Sequence, residues 1–211
     1  MKQIILYIFL IGLISCSNNS QEKKAVDKET ENKQETKTTL TESKLDYREI
    51  LLSENKLDSF SIPFPEKNML IPLRNYYKPY WVEANIGQQD GPDFTYIDIL
   101  KDDDNPIANL YFDSENKYKL DEIRIMNSTA IDQYGIHIGD PLTKIISSRD
   151  TGQIVFEPYH FHIYYSYKNS NILYELEGEL HTPAVDNVKD IILTYDDIGS
   201  HTVQSIIWRN K

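Results

Sequence analysis

Cysteine is nearly absent: Cys16 is the single thiol in 211 residues. No intramolecular disulfide is available, so the fold rests on its apolar core, and no other thiolate remains to act as nucleophile or metal ligand. Positive charge is scarce as well, with 22 Lys and Arg against 33 Asp and Glu and a formal net charge of −11 at pH 7. An acidic surface repels phosphate backbones, and no basic stripe with interleaved aromatics runs along the chain; nucleic acid is excluded as a partner and acidic lipid head-groups are disfavoured. No apolar run reaches the roughly 20 residues that span a bilayer as a helix. There is no G-x-S-x-G elbow, no H-E-x-x-H and no phosphate-cradling G-x-x-x-x-G-K-[ST], so serine-hydrolase, zincin and P-loop chemistries lack their residues. Nothing calls for a cofactor.

What is present begins with an address. Lys2 supplies a positive start, and residues 4–14 form an apolar run of 11 residues, the size of a signal-peptide core. Leu13-Ile14-Ser15-Cys16 follows and resembles the bacterial lipobox, in which the thiol is acylated and the small residue before it lets the peptidase reach the bond. The expectation is a lipoprotein signal peptide over 1–15 and a mature chain starting at lipidated Cys16, with the lipid as its membrane partner. Two or three acyl chains make a stable anchor where one is marginal. Ser17, in place of an Asp that would hold a Gram-negative lipoprotein in the inner membrane, points to the outer membrane.

Residues 17–44 contain no aromatic residue, and their six Lys balance six acids. Such a segment buries too little apolar surface to offset its ordering entropy, which predicts a disordered tether over 16–44. As a flexible coil it spans about 30 Å on root-mean-square average. Residues 45–211 differ: they hold 14 of the 15 Tyr, both Trp and six of the seven Phe, and they carry a net charge of −12, since Lys2 contributes +1 and the tether is neutral. This length makes one globular domain.

Its periodicity is two rather than 3.6. Ala108, Leu110 and Phe112 alternate with Asn109 and Tyr111; Phe161, Ile163, Tyr165 and Tyr167 alternate with His162, Tyr164 and Ser166; Ile172, Tyr174 and Leu176 alternate with Leu173, Glu175 and Glu177. Turn-forming clusters at Asp113-Ser114-Glu115-Asn116 and Lys168-Asn169-Ser170-Asn171 join neighbouring strands into hairpins. Further strands are expected over 80–86, 94–100, 119–126, 153–157, 189–195 and 203–209. The pattern predicts a mainly β (α+β) domain, an antiparallel sheet of hairpins and meanders with one or two short helices. One helix is expected within 46–55. The other follows Asp140 as N-cap and Pro141 as first helical residue, with Leu142, Ile145 and Ile146 on one face. No internal repeat is visible.

Candidate sites each have a structural explanation beside the chemical one. His160 and His162 stand two apart in an expected strand and share a face, so an acid from a neighbouring strand would complete a metal site; a polar aromatic sheet surface explains them equally. Glu175, Glu177 and Glu179 form a stripe on one strand, whereas glycoside hydrolysis needs carboxylates facing each other across a sugar; the stripe reads as a solvent side. Asp102-Asp103-Asp104-Asn105 lacks the spacing of a calcium loop and reads as a turn, as does Asp90-Gly91-Pro92-Asp93. Tyr76, Tyr77 and Tyr80, then Tyr159, Tyr164, Tyr165 and Tyr167, suit either sugar stacking and protein contact or half-buried strand packing.

The string Tyr134-Gly135-Ile136-His137-Ile138-Gly139-Asp140-Pro141-Leu142 carries a resemblance. It is similar to a block in a family of envelope-stress (sigma-E) regulated outer-membrane lipoproteins, a domain of unknown function, which places G-I-x-x-G before a short helix. That family continues with a strand like His162-Ile163-Tyr164-Tyr165-Ser166-Tyr167 and ends on one like Ser205-Ile206-Ile207-Trp208-Arg209, so the likeness covers roughly residues 130–210. It implies an address and a mode of expression, and no reaction. On their own chemistry Gly135 and Gly139 permit backbone angles that turn a strand into the helix. The helix start could instead hold an anion, which Asp140 opposes.

These readings converge on a membrane-anchored envelope lipoprotein whose β domain binds another envelope protein or a glycan, or supports the envelope, without catalysis. The alternative is a carbohydrate-active or other hydrolase using Glu175 and Glu177 or the His160/His162 pair. Replacing Cys16 by Ala is expected to abolish metabolic labelling with radioactive palmitate and to leave an uncleaved or soluble product; undiminished labelling would refute the anchor.

Overall fold

The computed structural model describes residues 47–88, 91–102, 105–180, 187, 189 and 191–211. The expected signal peptide over 1–15, the expected tether and Cys16 lie outside the described residues. In chain order come β1 (Ile50–Leu52), β2 (Lys56–Leu57), β3 (Phe60–Ser61), α1 (Leu70–Tyr76), β4 (Trp81–Gly87), β5 (Phe94–Leu100), β6 (Pro106–Phe112) and β7 (Leu120–Ile125). There follow β8 (Ala130–Asp132), α2 (Leu142–Arg149), β9 (Gln153–Glu157), β10 (His162–Ser166), β11 (Ile172–Glu177), α3 (Tyr195–Ile198) and β12 (Thr202–Arg209). The fold is mainly β, as the period of two requires.

Eight strands form one antiparallel sheet in the order β4-β5-β6-β7-β12-β11-β10-β9. Register places Val82, Ile99, Ala108, Ile125, Ile206, Tyr174, Tyr165 and Ile154 in a single row across all of them. Because side chains alternate along a strand, that row marks one face of the sheet. Leu73 of α1, Leu142 and Ile145 of α2, and Ile198 of α3 join it in one core cluster. So do Ile50, Leu52 and Leu57 of a second, four-stranded sheet ordered β3-β2-β1-β8. Helices and small sheet therefore bury this face, each fully enclosed Ile or Leu contributing about 1.5–3 kcal/mol.

The order of strands reveals a repeat that the residues do not. A short helix and four antiparallel strands (α1, β4, β5, β6, β7) recur as α2, β9, β10, β11, β12, and the last strands of the two meanders, β7 and β12, pair at the centre. The second unit differs by the excursion between β11 and β12 that carries α3.

Four expectations need correction. No helix forms in the described part of 46–55: Ile50 and Leu52 are buried while Leu51 between them is exposed, and β1 runs parallel to β8. The alternation visible in three residues outweighs helix propensity once a partner strand is present. The strand expected over 189–195 is absent from its described part. Residues 191–194 are irregular, and Tyr195 begins α3, whose start is set by a capping box between Thr194 and Asp197. The second helix begins one residue later than expected: Pro141, extended at φ −72° and ψ 151°, is the N-cap, and Leu142 is the first helical residue. Asp140 instead accepts the His137 N–H at 2.7 Å and the Lys144 ammonium at 2.6 Å. The helix α1 was not foreseen, although Asn68 accepts the Leu70 N–H at 2.9 Å as a cap-forming residue would.

Gly135 and Gly139 have φ of +78° and +86°, angles that strain any residue with a Cβ. Through this turn the chain leaves β8 and delivers α2, whose last residue closes the domain. The Arg149 side chain is only 5% exposed. Its guanidinium lies 3.7 Å from the centre of the Tyr134 ring and 4.0 Å from that of Tyr167. It donates to Tyr174 Oη at 3.0 Å and Ser170 Oγ at 2.8 Å, and it pairs with Glu54 at 3.4 Å. Glu54 also accepts the Tyr134 hydroxyl at 2.9 Å and the Asn171 N–H at 2.7 Å, and its carbonyl takes the Trp208 indole N–H at 2.8 Å. Tyr174 donates in turn to buried Asp132 at 2.5 Å.

Removing one partner of such a buried pair costs about 3–5 kcal/mol. Arg149→Met is expected to lower the urea unfolding free energy by about that amount. Arg149→Lys should recover less than half of it, because an ammonium cannot reproduce the fork and the stacking. A loss below about 1 kcal/mol for Arg149→Met, the level of an exposed ion pair, would contradict this role.

Candidate functional site

The opposite face of the large sheet is built from the alternate residues. Register aligns Glu83, Asp98, Asn109, Arg124, Ile207 and Leu173 in one row, and Tyr96, Tyr111, Glu122 and Arg209 in the next. The buried side chains of the helices and of the small sheet belong to the core on the other side, so none of these described elements covers this face.

Its floor is a connected polar network. Arg124 pairs with Glu122 at 3.2 Å and, more closely, with Glu175. Ser205 donates to Glu175 at 2.7 Å, His162 Nδ1 meets the other Glu175 oxygen, and Arg209 pairs with Glu122 at 2.7 Å. Glu175 is 3% exposed. Burial pushes its carboxyl up, but the Ser205 hydrogen bond, the Arg124 charge and His162 outweigh that and hold it below the usual carboxylate range. With the Glu175 carboxylate as acceptor, His162 donates through Nδ1, which fixes the orientation of the ring. In the adjoining strands Asp98 takes hydrogen bonds from Asn85, at 2.8 Å, and from Asn109; there burial prevails and pushes the carboxyl up.

Rings stand on this floor. Tyr96 and Tyr111 are stacked at 5.8 Å with 28° between their planes, Phe94 lies 5.9 Å from Tyr111, and His162 stacks on Tyr164 at 6.0 Å. Trp81 is 60% exposed, its indole N–H donating to Glu83 at 2.9 Å. A cleft of about 850 Å³ is lined by Phe94, Tyr111, Asp113, Glu122, Arg124 and His162. Aromatic faces beside paired charges can hold a sugar ring or a protein side chain.

Of the residues marked from sequence, His162 and Glu175 meet here. His160 does not share their contact: the positive φ of Phe161, +59°, interrupts the strand, and His160 bonds Glu157 at 2.9 Å in the turn. Among the described residues no group of three or more His, Cys, Asp or Glu is placed to hold an ion. The stripe expected to be a solvent side is split, with Glu177 and Glu179 exposed and Glu175 enclosed by its ionic partners. Tyr77 and Tyr80 are buried in the core, while Tyr159 is exposed. The turns at 90–93 and 102–105 lie partly outside the described residues; Asn105 N–H to Asp102 O at 3.2 Å closes the second. Arg124, Ser205, Asp98 and Asn109 were not foreseen. Their signal was present: polar residues alternating with Ile and Leu in Ile97-Asp98-Ile99, Ala108-Asn109-Leu110 and Ile123-Arg124-Ile125 mark a polar face on central strands.

No family model matches the chain, and no curated protein matches it. Its fold is similar to the crystal structure of the uncharacterized protein yfeY from Escherichia coli, at a TM-score of 0.56 and 19% identity over 75% of this chain and 99% of that one.

A carboxyl held low contributes stability that is complete above its unfolded pKa and is lost as pH falls through the folded one. Glu175→Gln is expected to unfold with about 2 kcal/mol less stability at pH 7. The difference from the parent should shrink as pH falls below the usual carboxylate range and Glu175 takes its proton. Curves that stay parallel across that fall would remove Glu175 from the acid response.

Proposed function

We propose that the chain is a lipid-anchored protein of the cell envelope, held at the outer membrane through Cys16, and that its β domain is a non-enzymatic binding module. It engages another envelope component, a protein or a glycan, through the open face of the eight-stranded sheet. The observation that carries this reading is the open face itself: stacked rings border a cleft above a floor whose charges are already paired. Paired charges are rigid and desolvated at little further cost, which suits recognition. They do not supply the two carboxylates facing across a gap that glycoside hydrolysis needs, because Glu122 and Glu175 both turn towards Arg124.

The hydrolase reading keeps one supporting observation. His162, oriented by Glu175, lines the cleft, and an imidazole so held is the residue type that most often serves as a general base. Photo-crosslinking in cells separates the two. A crosslinkable residue at Tyr111 is expected to trap a discrete envelope component, while one at exposed Ser61 of the small sheet does not. The product should persist in His162→Asn and vanish in Tyr96→Ala with intact melting temperature. Equal trapping from both positions would set the open face aside, and a crosslink that accumulates only in His162→Asn, as a stalled substrate would, favours hydrolysis.

A further inference from the structure

Residues 45–211 contain 27 acidic and 15 basic side chains, so a surface hollow without carboxylates is not what composition supplies. One such hollow, about 410 Å³, opens on the same face beside the cleft, and among the described residues no Asp or Glu lines it. Lys168, from the β10–β11 turn, Arg209, from the end of β12, and Lys211 converge on it. Arg209 is oriented at the rim, its Nε bonded to Glu122 at 2.7 Å and its guanidinium 5.6 Å from the Tyr164 ring centre. Lys211 Nζ donates to the backbone carbonyls of Ser170 and, at 3.3 Å, of Tyr167, neither of which carries a formal charge. Lys168 is exposed and, among the described residues, pairs with no carboxylate. Even with Glu122 and an α-carboxylate at Lys211 counted against them, these cations leave a positive excess in a domain that is otherwise strongly negative. Ser166 adds a neutral donor, and Tyr164 with Val155 forms an apolar wall.

We propose that this hollow binds a phosphate ester, the phosphate held between Lys168, Arg209 and Lys211 and the sugar or glycerol that bears it lying against Tyr164 and Val155. The inference deepens the reading of the open face as a binding face and names its ligand class. Cations approaching from two segments, the β10–β11 turn and the stretch Arg209–Lys211, suit a tetrahedral group whose oxygens do not lie in one plane. A planar carboxylate would be satisfied by the fork of one arginine. The surrounding negative field opposes long-range capture of an anion, so affinity rests on contact with these side chains and weakens with added salt once they are engaged. Local chemistry thus reverses, at one place, the exclusion of anionic partners that net charge implies for the whole surface. Two sources share this chemistry, a soluble sugar phosphate and a phospholipid or glycolipid head-group.

The test uses the full chain purified in neutral detergent or reconstituted in phosphatidylcholine vesicles. Glucose 6-phosphate is titrated calorimetrically at low salt, with glucose as control, and vesicle binding of the Cys16→Ala chain is compared with and without phosphatidylglycerol. Saturable glucose 6-phosphate binding that weakens about fivefold or more in Lys168→Gln/Lys211→Gln, and that Lys168→Arg/Lys211→Arg retains, is the expected result for a soluble ester. Phosphatidylglycerol-dependent vesicle binding lost in the same Gln variant supports the proposal with a lipid as the source. Absence of both, or binding unchanged in the Gln variant, overturns it. Retention of the Tyr111 crosslink in that variant then shows that the open face still binds a partner and that only the phosphate assignment has failed.

Discussion

A cation without water is the constraint on which this domain is organised. Arg149 ends α2 inside the protein, and a buried guanidinium is tolerable only if every neighbouring segment supplies something to it. Tyr134 and Tyr167 give it two ring faces, Glu54 a charge, and Tyr174 and Ser170 their oxygens. Those partners come from the turn after β1, the turn after β8, the β10–β11 hairpin and the body of β11. One side chain thus fixes the small sheet, the second helix and the large sheet with respect to one another. Directional contacts of this kind select a single arrangement where apolar burial alone would accept several.

The same residues decide which face of the large sheet is free. With the small sheet and helices held to one side, the other side keeps its polar alternation and its rings. Charge burial recurs there in a different form. Glu175 is enclosed within the sheet surface by Arg124, Ser205 and His162, so the open face has a structured ionic floor rather than a solvated one. On the reading proposed for this face, such a floor would change little under a partner, and contact would fall to the rings and to the groups at its margins. The margins differ in sign: Asp113 and Glu122 border one cleft, and Lys168 and Lys211 the neighbouring hollow.

Much of the sheet was legible beforehand because period-two alternation is a local property. The strand expected over 94–100 and that over 153–157 coincide with β5 and β9, and the turns at 113–116 and 168–171 join the strands they were assigned to join. The errors fall where local pattern is short or contradicted by long-range partners. Three residues of β1 carry too little alternation to outweigh a helical reading of Leu51 and Leu52, and only their pairing with β8, some eighty residues away, makes them a strand. Ile191, Ile192 and Leu193 read as strand by composition, but Thr194 and Asp197 cap a helix directly after them and Ile192 is left 86% exposed. In the site, His162 and Glu175 were each noticed for their chemistry and their contact was not, because register between β10 and β11 is a property of pairing and not of either strand.

Composition and spacing by themselves determined the β class, the turns, the glycines that must take positive φ before α2, the lack of any disulfide, and the acidic balance. Each of these depends on a residue and its near neighbours, or on a simple sum. Tertiary structure alone decided that two helix-plus-four-strand units meet at β7 and β12, that Arg149 is buried rather than solvated, and that Glu175 lies under Arg124 instead of in water. The reason is that burial and ion pairing belong to contacts between distant segments, and a side chain's charge is tolerated, neutralised or put to use according to partners that no local window of sequence contains.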